Sequence, residues 1–253
     1  DDAHAPLWRQ LAQGRRQLSF GLNPDAAHRA DHRADICGKF VPHGFGGYLT
    51  LTTPQGVLDI TLGVPGRHNA GNACAAAAAA LAAGAAPAAV VQGLAAFTGV
   101  QGRLQRCAGL KGALIVNDSY NANPDSMRAA IDVVAAVPGK RIVVMGDMGE
   151  VGAAAGQVHD EIGGYARSHG IDRLLCLGEW SVAAAHNFGQ GGQHFQQLDD
   201  LLAVLKTELD EHATVLVKGS RFMRMERVVA AISAIADSDI GAAVEREGRH
   251  HAP

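Results

Sequence analysis

The 253-residue chain lacks an excess of either charge: 22 basic and 25 acidic residues leave a formal net charge of −3. Binding a polyanion needs a basic surplus, so this balance argues against nucleic acid as a partner. Cysteine is scarce, and Cys37, Cys74, Cys107 and Cys176 form no CxxC pair. Neither a zinc site nor a thioredoxin-type motif is supported; the four read as reduced thiols of a cytoplasmic protein, mostly filling cores. No secretory signal opens the chain and no apolar run is long enough to span a bilayer. The Ala-rich run 73–83, closed by Gly84, reads as a buried helix. Nucleotide motifs are missing as well. No GxxxxGK[ST] P-loop occurs, since Gly38-Lys39 is followed by Phe40 and Gly139-Lys140 by Arg141. No GxGxxG follows a predicted strand, so a dinucleotide site has no support. The 12 histidines include no HExxH. The His- and Asp-rich stretch from Asp25 to Asp35 reads as exposed strand and loop rather than as a metal site.

What is present is a soluble-type composition, 47% hydrophobic and 19% charged, on a chain long enough for one large or two medium domains. In the first hundred residues, strands are expected at Gln17–Leu22, Gly47–Thr53 and Val57–Val64. The last two flank the turn signal Pro54-Gln55-Gly56 and read as a hairpin. Two helices are expected, from about Ala70 to Ala83 and from Pro87 to near Phe97. From Gly102 the pattern becomes a regular alternation. Strands are expected at 113–117, 141–145, 173–177 and 213–217, with a weaker one at 193–195. Helices are expected at 125–136, 157–168, 181–187, 198–209 and 223–235. This spacing predicts an α/β fold, a mostly parallel sheet with helices on both faces. The expected organisation is a first domain over 1–101, a second over 102–236 and a disordered tail over 237–253.

Asn117-Asp118-Ser119-Tyr120-Asn121-Ala122-Asn123-Pro124 lies between an apolar strand, Ala113–Val116, and an apolar helical pattern at Met127, Ala130, Ile131 and Val134. In open α/β sheets ligands bind at this handover, outside the carboxyl ends of the strands. A turn and a helix cap need only some of these polar residues. Two further strand ends carry Gly146-Asp147-Met148-Gly149-Glu150-Val151-Gly152 and Lys218-Gly219-Ser220-Arg221. In a parallel sheet all three loops share one edge. Asp147 and Glu150 suit a helix N-terminus, an ammonium group or a metal; Lys218 and Arg221 suit a carboxylate or phosphate. Both signs on one edge suggest a zwitterion such as an amino acid or short peptide. Lys218 is therefore expected to serve the ligand and not the fold. In the first domain, Asn69 and Asn72 lie three apart at a helix start, where amides that donate and accept could read an adenine edge or cap the helix. Arg103, in Gly102-Arg103-Leu104, could reach a phosphate.

Taken together, Pro65-Gly66-Arg67-His68-Asn69 with Asn72, Gly102-Arg103-Leu104, Asp118-Ser119-Tyr120-Asn121-Ala122-Asn123-Pro124, Gly146–Gly152 and Val217-Lys218-Gly219-Ser220-Arg221 resemble, in this order, the Mur ligases. These are ATP-dependent amide-forming enzymes of peptidoglycan synthesis. The resemblance covers nearly all of residues 1–235. Its Asp-Ser-Tyr-Asn-Ala-Asn-Pro run looks like the branch that joins D-alanyl-D-alanine to UDP-N-acetylmuramoyl-tripeptide; other branches look more like D-Y-A-H-x-P. Two departures stand out: Phe222 where the family usually has a small residue, and Gly149 where Ala or Leu is more usual.

The resemblance implies the later part of a central ATP-binding domain followed by a Rossmann-like ligase domain. The UDP-sugar domain and the P-loop are expected upstream of Asp1, so these residues alone are expected to be inactive. It implies that ATP activates a carboxylate to an acyl phosphate, which an amine attacks, with a hinge near Val100–Arg103. Arg103 and Lys218 are the implied catalytic residues. His68, Asn69, Asn72, Arg103 and Asp118 would bind ATP, and Asn121, Asn123, Asp147, Lys218 and Ser220 would bind the amino substrate. Mg²⁺ is implied, with its main ligands upstream and no metal ligand here; a cytoplasmic monomer is expected. Three other readings remain. One is another amino-acid-adding Mur-type or folylpolyglutamate-synthase-type ligase. A second is a non-catalytic nucleotide- or peptide-binding module. The third, a receiver-type signalling domain, lacks its required Asp after the third strand, which ends Cys176-Leu177-Gly178-Glu179.

Overall fold

A computed structural model of the chain describes residues 4–22 and 34–234. Asp1-Asp2, most of the Asp25–Asp35 stretch and the tail over 237–253 lie outside the described residues. Two compact units meet in sequence at Gly99–Val100.

The first unit contains α1 (Ala5–Leu11), β1 (Phe20–Gly21), β2 (Ile36–His43), β3 (Gly46–Thr53), β4 (Gly56–Leu62), α2 (Arg67–Ala82) and α3 (Pro87–Ala96). The strands lie in the order β1-β2-β3-β4, with β1 parallel to β2 and the other pairs antiparallel. Alternation along the hairpin buries Leu49, Leu51, Leu58, Ile60 and Leu62 beneath the small-residue stripe Ala70, Ala73, Cys74, Ala77 and Ala78 of α2, which Leu81 extends. Small side chains let helix and sheet approach closely: a Cβ on Gly38 would lie 2.5 Å from Cys74 Sγ. Three differences from the sequence reading appear. The first strand is only Phe20–Gly21. Strand β2 was not anticipated, because it breaks alternation at Gly38-Lys39 and ends at Pro42-His43. Helix α1 has no buried residue, and so no apolar stripe that periodicity could reveal.

The second unit contains β5 (Gln105–Ala108), β6 (Leu114–Asp118), α4 (Pro124–Ala135), β7 (Lys140–Gly146), α5 (Ala155–Ser168), β8 (Arg173–Leu177), α6 (Ser181–Phe188), β9 (Gly192–Phe195), α7 (Leu198–Glu208), β10 (Ala213–Lys218) and α8 (Glu226–Ile232). The sheet order is β5-β6-β10-β7-β8-β9. Strands β6 to β10 are mutually parallel, as the alternation predicts, and β5 adds an antiparallel edge too short to show a period. The last strand, β10, sits between β6 and β7 and is buried along its whole length, which its continuous apolar run requires. Helices α4, α5 and α6 cover one face, and α7 and α8 the other. The expected helix at 223–235 shortens to Glu226–Ile232. A 3₁₀ turn over Arg221–Met223 precedes it, and Arg224, at φ 51°, breaks the helical path between them.

The register places the strand ends together. Lys218 pairs across the ladder with Asp118 on one side and Met145 on the other, and Gly146 with Leu177.

Candidate functional site

Asp118 closes β6 and Lys218 closes β10. Lys218 Nζ donates to Asp118 Oδ2 at 2.5 Å and to the carbonyl of Asn121 at 2.9 Å. Asp118 Oδ1 accepts from the backbone N–H of Leu104 at 3.0 Å. Both residues are buried, at 2% and 8% exposure. The pair therefore ties the start of this unit to the ends of two central strands. Leu104 takes a left-handed φ of 47° at this contact.

Ser220 joins three loops. Its N–H donates to the carbonyl of Asp147 at 3.0 Å, its Oγ accepts from Gly149 N–H at 2.8 Å, and its hydroxyl donates to the carbonyl of Ala122 at 3.1 Å. One side chain thus fixes the relative height of the loops after β6, β7 and β10.

The Asp147 carboxylate accepts from Glu179 N–H at 2.7 Å, Ser181 N–H at 2.8 Å and Trp180 N–H at 3.2 Å. It caps the N-terminus of α6, the helix after the neighbouring strand, where a negative charge meets unpaired amides and the positive end of the dipole. His159, fully buried, accepts from Met148 N–H through Nε2 at 2.9 Å, while Nδ1 lies 2.7 Å from the carbonyl of Ala155. An amide can only donate and a carbonyl can only accept, so the ring is the neutral Nδ1–H tautomer. Its 4.0 Å approach to Asp147 is therefore not an ion pair. Below this loop, burial and the charge of Asp147 push the Cys176 thiol far up from its ordinary range.

The other residues singled out by sequence divide into committed and open groups. Asn123 is the N-cap of α4: its Oδ1 accepts from Ser126 N–H at 2.8 Å, and the Ser126 hydroxyl closes the capping box. Asn121 is exposed, with Oδ1 accepting from Ala122 N–H at 2.9 Å. Arg103 is exposed and lies over the Tyr120 ring, 4.5 Å from its centroid. In the first unit, the N-cap position of α2 falls to Gly66, at φ 92°, so neither Asn is the cap. Asn69 Nδ2 donates back to the carbonyl of Pro65 at 2.7 Å; His68 and Asn72 are exposed.

The structure thus brings Asp118, Lys218, Ser220, Asp147 and Asn121 to one sheet edge, though most of their polar atoms bond within the protein. Glu150 shares that edge. Its carboxylate is exposed and makes no hydrogen bond or ion pair with the described residues, and its φ of 60° is unusual for a non-glycine residue. The ring of Phe222, 60% exposed, is there too. Sequence charge grouped Glu150 with Asp147 and could not separate the carboxylate that caps a helix from the one left open. Among the described residues, no group of three or more His, Cys, Asp or Glu is arranged to hold a metal ion, and no helix is long and apolar enough to cross a membrane.

Residues 102–221 match the family described as Mur ligase, glutamate ligase domain. The chain is 44% identical over 227 residues to UDP-N-acetylmuramoyl-tripeptide–D-alanyl-D-alanine ligase of Escherichia coli (strain K12), covering 89% of this chain and 49% of that protein. It is 36% identical over 205 residues to the enzyme of the same name from Haemophilus influenzae, covering 78% of this chain and 44% of that protein. The chain therefore spans about half the length of the curated relatives it matches, 49% of the E. coli protein. A crystal structure of MurF from Acinetobacter baumannii superposes with a TM-score of 0.79 at 32% identity, over 91% of this chain and 50% of that one. A MurF ligase from Thermotoga maritima in complex with ADP shares the fold, with a TM-score of 0.72 at 21% identity over 90% of this chain and 50% of that one.

Proposed function

The chain belongs to the Mur ligase family, and from that premise we propose that the protein carrying it joins D-alanyl-D-alanine to UDP-N-acetylmuramoyl-tripeptide at the expense of ATP, in the cytoplasm, for peptidoglycan precursor synthesis. The γ-phosphoryl group passes to the tripeptide carboxylate, giving an acyl phosphate and ADP. The amine of the dipeptide attacks, the tetrahedral intermediate collapses, phosphate leaves and an amide remains. Such chemistry asks the protein for placement of the amine and for neutralisation of phosphate charge.

The observation that carries this reading is the convergence of the three loops after β6, β7 and β10 on one edge, pinned to one another through Ser220. An ammonium has three donors, and Lys218 spends two within the protein, leaving one N–H for the dipeptide carboxylate. Asp118 keeps lone pairs for a ribose hydroxyl. Arg103, exposed over Tyr120, has the charge and the reach to meet a phosphate. Asn121 offers an amide N–H₂ to the peptide. We assign the dipeptide ammonium to Glu150, because the Asp147 carboxylate is occupied by three backbone amides. Asp147, Ser220 and Asn123 then act by holding the loops. In the first unit, Asn69 and Asn72, with His68 beside them, carry the polar groups suited to an adenine edge. Mg²⁺ would neutralise phosphate charge when bound; among the described residues no group of three or more His, Cys, Asp or Glu is arranged to hold it.

The test is an assay of the full-length protein with ATP, UDP-N-acetylmuramoyl-tripeptide and D-alanyl-D-alanine, following phosphate release and the amide product by mass spectrometry. The expected product is the pentapeptide. Preference for a single amino acid such as glutamate over the dipeptide would move the protein to another branch of amide ligases. ATP binding without any amide product would leave only a binding module.

A further inference from the structure

Phe222 sits at the tip of a turn whose base is firmly held. Met223 N–H donates to the carbonyl of Ser220 at 2.9 Å and Arg224 N–H to that of Arg221 at 3.2 Å. Met225, at 1% exposure, packs beneath, where a Cβ on Gly219 would lie 2.7 Å from Met225 Cγ and one on Gly146 2.8 Å from its sulfur. At the tip of this turn Phe222 is 60% exposed. Its covered side lies on Gly149: a Cβ there would lie 3.0 Å from Phe222 Cε1 and 3.6 Å from Cδ1. Carbon atoms pack at about 3.5–4.0 Å, so a side chain at position 149 would press on the ring, which must give way by a few tenths of an ångström. Gly149 is anchored by its N–H, which donates to Ser220 Oγ at 2.8 Å.

Two departures from the family pattern, read separately in the sequence, are thus one feature. The missing side chain at 149 makes the room that the ring at 222 occupies. The ring rests on the residue that precedes Glu150 in the chain and belongs to the turn that follows Ser220. It is an ordered apolar wall next to groups that are otherwise polar.

We propose that Phe222 is a specificity-determining residue for the amine substrate: its ring, seated on Gly149, is the wall against which the methyl side chain of the incoming N-terminal D-alanine packs. The proposal rests on the D-alanyl-D-alanine reading above. An apolar ring resting on the loop that also carries the exposed Glu150 fits an ammonium that bears a small aliphatic substituent. One methylene or methyl group against such a wall changes discrimination by about 10- to 200-fold.

The experiment compares kcat/KM for D-alanyl-D-alanine and for glycyl-D-alanine, which lacks that methyl group, in the full-length enzyme. The wild type is expected to favour D-alanyl-D-alanine by about tenfold or more. Phe222→Ala should bring the two dipeptides close to parity, mainly through KM, with KM for ATP unchanged. Phe222→Leu, which keeps an apolar wall, should retain much of the preference. Gly149→Ala should also lower the preference by pushing the ring aside, and Gly149→Ala with Phe222→Ala should be no worse than Phe222→Ala alone. A preference that survives Phe222→Ala, in a protein whose Tm is unchanged, overturns the proposal and leaves the function intact. A wild-type enzyme that uses neither dipeptide overturns the function and the proposal with it.

Discussion

Lys218 Nζ lies 2.5 Å from Asp118 Oδ2, between two residues 100 positions apart in sequence that end neighbouring parallel strands. The side chains are only 3% and 11% exposed, so each charge depends on the other for solvation. By sequence alone, Lys218 is expected to serve the ligand and not the fold. The burial of the pair gives it a structural duty as well.

Lys218→Met should therefore destabilise the second unit sharply, because it leaves the Asp118 carboxylate buried without its partner. Breaking a buried pair from one side costs about 3–5 kcal/mol. Denaturant unfolding of wild type, Lys218→Met and Lys218→Met with Asp118→Asn measures it, and the double variant should recover part of the loss. An unchanged midpoint for Lys218→Met would show that the pair contributes nothing to the fold.

Asp147→Asn should loosen the start of α6 locally. A hydrogen bond to a charged group contributes about 1.5–3 kcal/mol, and the Asn side chain keeps a single oxygen for the three amides of Glu179, Trp180 and Ser181. Hydrogen exchange should accelerate at those amides and along Ser181–Phe188, while β10 stays protected. Exchange that is uniform across the unit, or unchanged at α6, would contradict the capping role.

Glu150→Gly separates strain from function. At φ 60° a non-glycine residue carries a backbone cost of about 1–2 kcal/mol that glycine does not. The variant should keep or raise Tm, while KM for the dipeptide rises several-fold and KM for ATP holds. If the dipeptide KM does not move, the ammonium is bound elsewhere.

Glu208, at the end of α7, carries a pH-dependent part of the stability. Its Oε1 meets Arg173 at 2.7 Å on β8, and its Oε2 meets Lys140 at 3.1 Å on β7. Burial raises its pKa, but hydrogen bonds from Arg173 and Lys140 outweigh burial and hold the carboxyl below its ordinary value. A folded pKa below the unfolded one means a contribution fully present above the unfolded value, about 4.3, and lost as pH falls through the folded one. The difference in Tm between wild type and Glu208→Gln should be largest near neutral pH and shrink below about pH 4. A difference that is constant with pH would remove the ion pairs from the account.

Periodicity made most elements legible, because a strand or helix that buries one face writes its repeat into local sequence. β6, β7, β8 and β10, and the helices α4 to α7, lie where apolar spacing places them, and alternation of the two implied the parallel sheet. The elements that were missed bury little or break the repeat: α1, β2 and the short edge strand β5. The motif loops were legible as loops with unusual polar content, since Asn, Asp, Lys and Ser exceed what a turn needs. Which polar atom each of them meets was decided only in three dimensions. Asp147 and Glu150 are three residues apart and of equal charge, yet one caps α6 across the sheet and the other faces solvent. Phe222 and Gly149 read as unrelated until the packing of β10 beside β7 set ring against α-carbon. Hydrogen bonds and ring contacts are short-ranged, so they depend on which strands are neighbours, and local sequence carries no record of a partner 71 or 100 residues away.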